Sequence, residues 1–324
     1  MPKAKKRRDR RAQNLEGQFR RWGGWALLGL AVLLLLLFVF FRGGRRETYG
    51  QPWLEFSGDK ALAHTQALVD LGPRPAGSTA LKKSRSYLKE HLEEAGWRVE
   101  LQTFSDDTPR GRIAFMNLIA RRPNEPKSGP LFLLCSHYDT KTFDDMEFVG
   151  ANDGGSSTGA LLEMARVLNL HPELAARIEL VFFDGEEAFD HFTATDGLYG
   201  SRYFARGLEK SGRAKRFRGC LLWDMIGDKN LTITLSPDSP SKLTRDIFAA
   251  ASALDARDHF TYANTNLLDD HNPIDRIGIP AIDLIDFDYP PWHTAEDTMD
   301  KLSAESLQTI GAVTAYYLAE TAFR

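Results

Sequence analysis

Cysteine is nearly missing from this chain: only Cys135 and Cys220 occur in 324 residues. A thiolate-rich metal site and a small disulfide-stapled fold are thereby excluded. Each cysteine lies in an apolar, strand-like run and reads as a buried free thiol, although an exported chain could pair the two. Charge of one sign is lacking as well. The net charge of −3 supplies no basic field, so no nucleic-acid partner is expected. No phosphate loop, dinucleotide fingerprint or serine nucleophile elbow competes for the chemistry. The stretch Gly150–Gly159 is rich in glycine but has no lysine and follows no strand directly.

What is present begins at the amino end. Nine Lys and Arg precede residue 22, against Asp9 and Glu16. Gly23–Phe41 then runs for 19 residues without a charge, long enough as a helix to cross about 30 Å of hydrocarbon. It ends in Phe-Phe-Arg instead of a small-residue cleavage site, the mark of an uncleaved signal anchor. The basic flank places the amino end in the cytoplasm. The expected order is a basic tail (1–22), a transmembrane anchor (23–41), a polar tether (42–57) and an extracytoplasmic domain (58–324). That domain would face a periplasm or outer surface, or a Golgi lumen in a eukaryote.

Within the domain, helical spacing predicts helices over Gly58–Leu71, Thr79–Ala95, Ala160–Leu170, Ser201–Leu208, Ser241–Leu254 and Ala304–Phe323. Apolar runs predict strands over Arg98–Phe104, Arg112–Arg121, Pro130–Ser136, Arg177–Phe183, Gly219–Ile226 and Ile279–Asp286. Phe148–Gly159 reads as a flexible loop. The alternation predicts an α/β fold, a mostly parallel central sheet sandwiched by helices.

The organising stretch is Arg177–Phe189. Its apolar run breaks off into Asp184-Gly185-Glu186-Glu187, as a buried strand does on leaving its sheet, and ligands of open α/β sheets sit beyond such ends. Adjacent carboxylates there repel unless a cation or proton separates them. Their side chains point apart, so one glutamate can hold a metal while the other faces substrate. Further polar residues close other apolar runs: His137 and Asp139, Asp153 in the glycine-rich loop, Asp224, and His293. Together they are the carboxylate and imidazole donors that a catalytic zinc takes, with no cysteine required.

Six segments carry a resemblance: Ser136-His137-Tyr138-Asp139, Gly150-Ala151-Asn152-Asp153, Phe182–Phe189, Leu198–Arg202, Asp269-Asp270-His271 and Trp292-His293-Thr294. On these residues the chain resembles the zinc-dependent M28 aminopeptidase superfamily and, within it, the glutaminyl-peptide cyclotransferases, over about residues 58–320. The resemblance implies that Asp153, Glu187 and His293 bind one zinc. It implies Glu186 as general base and acid, Asp224 and Asp269 as acids that steady the reacting nitrogen, and Trp292, Tyr289 and Phe192 as walls of the substrate pocket. The implied substrates are peptides or proteins with an amino-terminal glutamine, converted to pyroglutamate with release of ammonia. His137 and Asp224 match a second zinc position of dizinc peptidases, which leaves a two-zinc aminopeptidase as the alternative, and a non-catalytic binding ectodomain as a third reading. The pattern departs from the animal cyclases in three places. Ser136 and Thr158 stand where those enzymes have a disulfide, Asp283 where they have a histidine, and Phe192 where they have a tryptophan.

Overall fold

Period-two alternation along the strands sorts this chain into two cores. The computed structural model describes residues 49–324, in which the strands are β1 (Arg98–Thr108), β2 (Gly111–Arg121), β3 (Leu131–His137), β4 (Ile178–Phe183), β5 (Phe217–Asp224), β6 (Ile233–Leu235), β7 (Phe260–Tyr262) and β8 (Ala281–Ile285). On β3, Phe132 and Leu134 enter one core while Leu131, Leu133 and Cys135 enter the other; on β4, Leu180 and Phe182 oppose Val181 and Phe183. The helices are α1 (Gly58–Val69), α2 (Thr79–Glu94), α3 (Ser157–Asn169), α4 (Pro172–Ala175), α5 (Tyr199–Ser211), α6 (Ser241–Ala253), α7 (His271–Arg276) and α8 (Ala304–Glu320). Residues of α1, α2, α3, α6 and α8 close the first core; α5 and α7 close the second.

The sheet order is β1-β2-β4-β3-β5-β8-β6-β7. Its centre, β4-β3-β5-β8, is parallel, whereas β1-β2, β2-β4 and β6-β8 are antiparallel. Four of the seven strand pairs are parallel, β6-β7 included, so the parallel expectation holds for the centre, and the antiparallel pairs toward the edges make the sheet as a whole mixed. Sequence reading also missed β6, β7, α4 and α7, because three to six residues are too few to display a period.

Two further corrections concern segments read as loose. The tether expected over 42–57 is packed from Tyr49 onward. Tyr49 and Phe56 are buried, Tyr49 meets Phe323 edge to face, and Trp53 meets Tyr316 of α8. Aromatic side chains gain too much by burial to hang in solvent. The loop Phe148–Gly159 is no flexible loop either: every residue from Gly150 to Gly159 is buried, and α3 starts at Ser157. The basic tail, the 23–41 anchor and the tether through residue 48 lie outside the described residues. Among the described residues no helix is long and apolar enough to cross a membrane. Cys135 and Cys220 are buried free thiols on β3 and β5, their sulfurs 3.6 Å apart.

Candidate active site and metal centre

The parallel strands β3, β4, β5 and β8 end on one edge, and the chemistry collects there. His137 is the last residue of β3, Asp224 the last of β5, and the glutamates follow β4 across the turn at Gly185. Gly185 has φ +72°, and a Cβ there would come 2.5 Å from the Phe115 ring, so the turn requires glycine. Asp153 and His293 arrive on loops. Gly154 (φ +74°) brings the first loop so close that a Cβ would meet the Asp139 carbonyl at 2.5 Å. His293 itself sits at φ +56° and Met225, beside Asp224, at +46°. Such left-handed conformations in non-glycine residues are held only where the surroundings dictate them.

Asp153, Glu187 and His293 converge. His293 Nε2 lies 3.3 Å from Asp153 Oδ2 and 3.4 Å from Glu187 Oε2, and one donor atom from each of the three falls within 4.8 Å of the others. The other oxygen of Asp153 points the opposite way, 3.3 Å from His137 Nε2, which is also 3.1 Å from Asp224 Oδ1. Asp153 therefore joins two clusters, Asp153–Glu187–His293 and His137–Asp153–Asp224. Glu187 has no hydrogen-bond donor on either oxygen, and Asp153 Oδ2 has none, although all three atoms are buried. Orphaned carboxylate oxygens beside an imidazole are what a divalent cation needs. The donor set fits zinc.

The electrostatics say the same. Burial, then the Asp153 charge, pushes the Glu187 carboxyl up to about 7. Burial would also raise Asp153, but His137 and His293 pull it well below the usual range. Burial would lower both histidines; their carboxylate neighbours instead raise His293 to about 10 and His137 well above its ordinary value. The protein's own groups hold a surplus of negative charge here, which a cation would neutralise.

Beside the metal cluster lies a cavity of about 290 Å³ whose lining includes Glu186, Asp224, Asp269, Asp283, Phe192 and Trp292. Glu186 and Glu187 part as their sequence position implies. Glu187 faces His293, whereas Glu186 faces the acids, its carboxyl driven well up by burial and then by the Asp269 charge. Asp269 is raised to about 7 by burial and by Asp224. Asp184, the first acid of the group, turns away to accept from Arg85 (3.0 Å) and from the Met116 N–H (2.7 Å). Trp292 is partly exposed and stacks on His293, with ring centroids 4.2 Å apart.

One expected pocket residue is displaced. Tyr289 is buried and does not line the cavity; its hydroxyl donates to Asp297 Oδ1 at 2.8 Å. The loop is wound so that half-exposed Phe287, 5.0 Å from the Trp292 ring, takes the place at the cavity wall. Asp297 itself was not foreseen. It accepts the N–H groups of Asn152 (2.8 Å) and Asp153 (3.0 Å) and so fixes the loop that presents the ligand. Asp139 does the same for the other loop, accepting from the N–H groups of Glu186 (3.1 Å) and Glu187 (3.4 Å). Fully buried Arg74 donates to the carbonyls of Val149 and Gly150. Asp139 stands at the end of an apolar run in the sequence, whereas Asp297 and Arg74 carry no sequence signal beyond their charge. The absence of the animal disulfide has a visible substitute: Ser136 Oγ and Thr158 Oγ1 are 3.2 Å apart.

Residues 117–318 match the model of peptidase family M28. The chain is 30% identical over 273 residues to a glutaminyl-peptide cyclotransferase of Drosophila melanogaster, covering 76% of this chain and 77% of that protein. Its structure is similar to that of a glutaminyl cyclase from an Acidobacteriales bacterium, with a TM-score of 0.76, 36% identity, and coverage of 82% of this chain and 94% of the other. It is also similar to a Zn-dependent exopeptidase from Parabacteroides distasonis (TM-score 0.75, 26% identity, coverage 82% and 98%).

Proposed function

The chain belongs to peptidase family M28 and stands among its glutaminyl-peptide cyclotransferases, and from that premise we propose how its residues close an amino-terminal glutamine into pyroglutamate. Asp153, Glu187 and His293 would hold one zinc ion. When bound, the metal supplies Lewis-acid polarisation of the glutamine γ-carbonyl.

The rest is done by the chain's own groups. Asp224 and Asp269 hold the peptide's α-amino group between them. Glu186 takes a proton from that amine, whose lone pair attacks the γ-carbon. The new C–N bond closes a five-membered ring, the bond to the side-chain nitrogen breaks, and Glu186 returns the proton to the departing ammonia. Burial and the Asp269 charge raise the Glu186 carboxyl, which strengthens it as a base. Attacker and target lie in one molecule, so orientation carries much of the rate; Trp292 and Phe192 at the cavity wall would hold the folded glutamine side chain.

The observation that carries this reading is the division between the two adjacent glutamates: Glu187 Oε2 lies 3.4 Å from His293 Nε2, while Glu186 lines the cavity with Asp224 and Asp269 and makes no such contact with His293 among the described ion pairs. The full-length chain supplied with zinc is expected to release ammonia from Gln-peptides and to cleave Leu- or Ala-amide substrates poorly. Robust amide cleavage without ammonia would overturn it.

The cluster His137–Asp153–Asp224 supports a second reading, an aminopeptidase with two metals sharing Asp153. Metal content separates the two: one zinc per chain accompanies cyclisation, two accompany release of amino acids. The membrane anchor over 23–41 and the extracytoplasmic placement of the domain rest on the uncharged run and its basic flank. Protease added to the outer face of intact cells or spheroplasts should digest the domain; protection until the cytoplasmic side is opened would reverse the topology.

A further inference from the structure

The segment Leu198–Arg202 carries none of the chemistry described so far, yet it is tied to the wall of the active-site cavity. Its first two N–H groups reach back to the turn after β4: Leu198 donates to the Glu186 carbonyl at 2.7 Å and Tyr199 to that of Gly185 at 2.8 Å. Within the loop that these bonds close, Asp190, His191, Thr193, Ala194 and Thr195 are exposed. Phe192 turns back from among them. It is half-buried, lines the cavity, and packs so closely on Gly197 that a Cβ there would come 2.5 Å from its ring. A loop this exposed buries too little to hold one aromatic ring in place by packing alone.

Polar groups hold it instead, and they lead to α5. The Asp196 carboxylate accepts the N–H groups of Phe189 and Asp190, each at 2.9 Å, and the Tyr199 hydroxyl, also at 2.9 Å, which ties the start of the loop. The far side is tied by Arg202. Lying in the first turn of α5, it donates from one terminal nitrogen to the Ala194 carbonyl and from the other to that of Thr195 at 3.3 Å. Its guanidinium stands over the Tyr199 ring, 4.8 Å from the centroid, and that ring is fully buried and stacked on Phe115. The planar fork therefore rests on a fixed base. We propose that Arg202 is a positioning residue for the cavity: by clamping the carbonyls of Ala194 and Thr195 to α5, it fixes the loop that aims Phe192 at the substrate side chain.

That this side chain is glutamine rests on the cyclotransferase reading; the clamp itself does not. The full-length, zinc-supplied chain is assayed on Gln-peptides as wild type, Arg202→Ala, Phe192→Ala and the double variant. Each single variant is expected to lose about fivefold or more in kcat/KM, and the double variant no more than about twofold beyond Phe192→Ala, since the clamp then has nothing left to aim. Zinc content should be the same in all four. Should Arg202→Ala fail to fold, Arg202→Lys takes its place in the cycle, because it keeps the charge but has one nitrogen where two carbonyls wait. Independently of activity, brief chymotrypsin treatment should cut after Phe192 in the Arg202 variant and spare that bond in the wild type, the cut being located by mass. Losses that multiply in the double variant, a fully active Arg202 variant, or equal resistance of the Phe192 bond in both chains would each overturn the proposal. If the wild type releases no ammonia while the cleavage pattern is as expected, the cyclotransferase reading fails and the clamp stands.

Discussion

Strand β4 carries a buried glutamate near its start and two just beyond its end, and the protein treats them in opposite ways. Glu179 is held by Arg121, whose Nε approaches to 2.6 Å, and by Arg213 at 2.9 Å; Glu125 adds Arg213 and Arg216 to the same network. At the other end Glu187 receives no hydrogen bond, and Lys141, 3.7 Å away, gives its own to the Ala188 carbonyl at 2.6 Å. Burial penalises both ends alike. The paired end is finished as a piece of architecture. The unpaired end leaves its charge to be balanced by something that binds, which is how a site that handles cations and protons differs from a structural ion pair.

Substitution at the unpaired end should therefore break function and spare the fold. Glu187→Gln and His293→Ala are expected to lower bound zinc and abolish turnover, as would chelation of the wild type. Glu186→Gln should keep zinc yet lose on the order of a hundredfold or more in kcat, the scale of a general base. Metal analysis beside ammonia-release assays checks both; equal zinc loss from the two glutamate variants would erase the division of roles. With zinc removed, Glu187→Gln should unfold at a higher temperature than wild type, because it relieves a buried charge that has no donor.

At the paired end the order inverts. Glu179→Gln takes one of two carboxylate partners from each of the half-buried Arg121 and Arg213, which keep Glu100 and Glu125, and should cost about 1 to 2 kcal/mol of stability, seen as a lower midpoint in denaturant, while zinc content and kcat stay as in the wild type. A loss of turnover without a loss of stability would show that the two ends are not separate after all.

How far all this could be read from sequence follows the same division. The strand ends were legible because an apolar run that stops at Glu186-Glu187, or at His137, has no other place to put its acids and imidazoles. The parallel centre was legible from runs such as Leu131–Cys135, apolar on both faces. What the sequence hid was second-rank support. Asp297 reads as one more acid in a polar turn, and only the fold shows that it caps the Asp153 loop. Tyr289 and Phe287 are two residues apart, and which of them faces the cavity depends on a loop winding that no periodicity encodes. The amino-terminal aromatics were overlooked because Gly50, Gln51 and Glu55 make their segment look polar, although Tyr49 and Phe56 are buried.

Trp292 tests whether the cavity wall belongs to the functional end. Its ring stacks on the ligand His293 and reaches Phe287. Trp292→Ala is expected to cost at least about tenfold in kcat/KM, roughly 1.4 kcal/mol of transition-state stabilisation, with zinc retained. If kcat/KM is unchanged and only stability falls, the ring packs the loop and no more.

The smallest expected effect asks whether burial alone, far from either end, sets a charge state. His64 on α1 has no carboxylate partner among the described residues; its Nδ1 meets the Tyr87 hydroxyl at 2.7 Å and its ring lies against His91. Desolvation, followed by the His91 charge, lowers it from 6.5 to about 4. The folded chain thus keeps His64 neutral while the unfolded chain protonates near 6.5. Its contribution to stability is whole above pH 6.5, is lost as the pH falls toward 4, and is gone below that. Because the ring is partly exposed, solvent screening reduces the effect to on the order of 1 kcal/mol. Unfolding midpoints of wild type and His64→Gln, measured between pH 7 and pH 4, should converge as the pH falls, since the variant lacks the group that must be discharged. Parallel curves would mean that His64 takes up its proton in the fold as readily as in the unfolded chain, and that a buried charge here needs neither a metal nor an arginine.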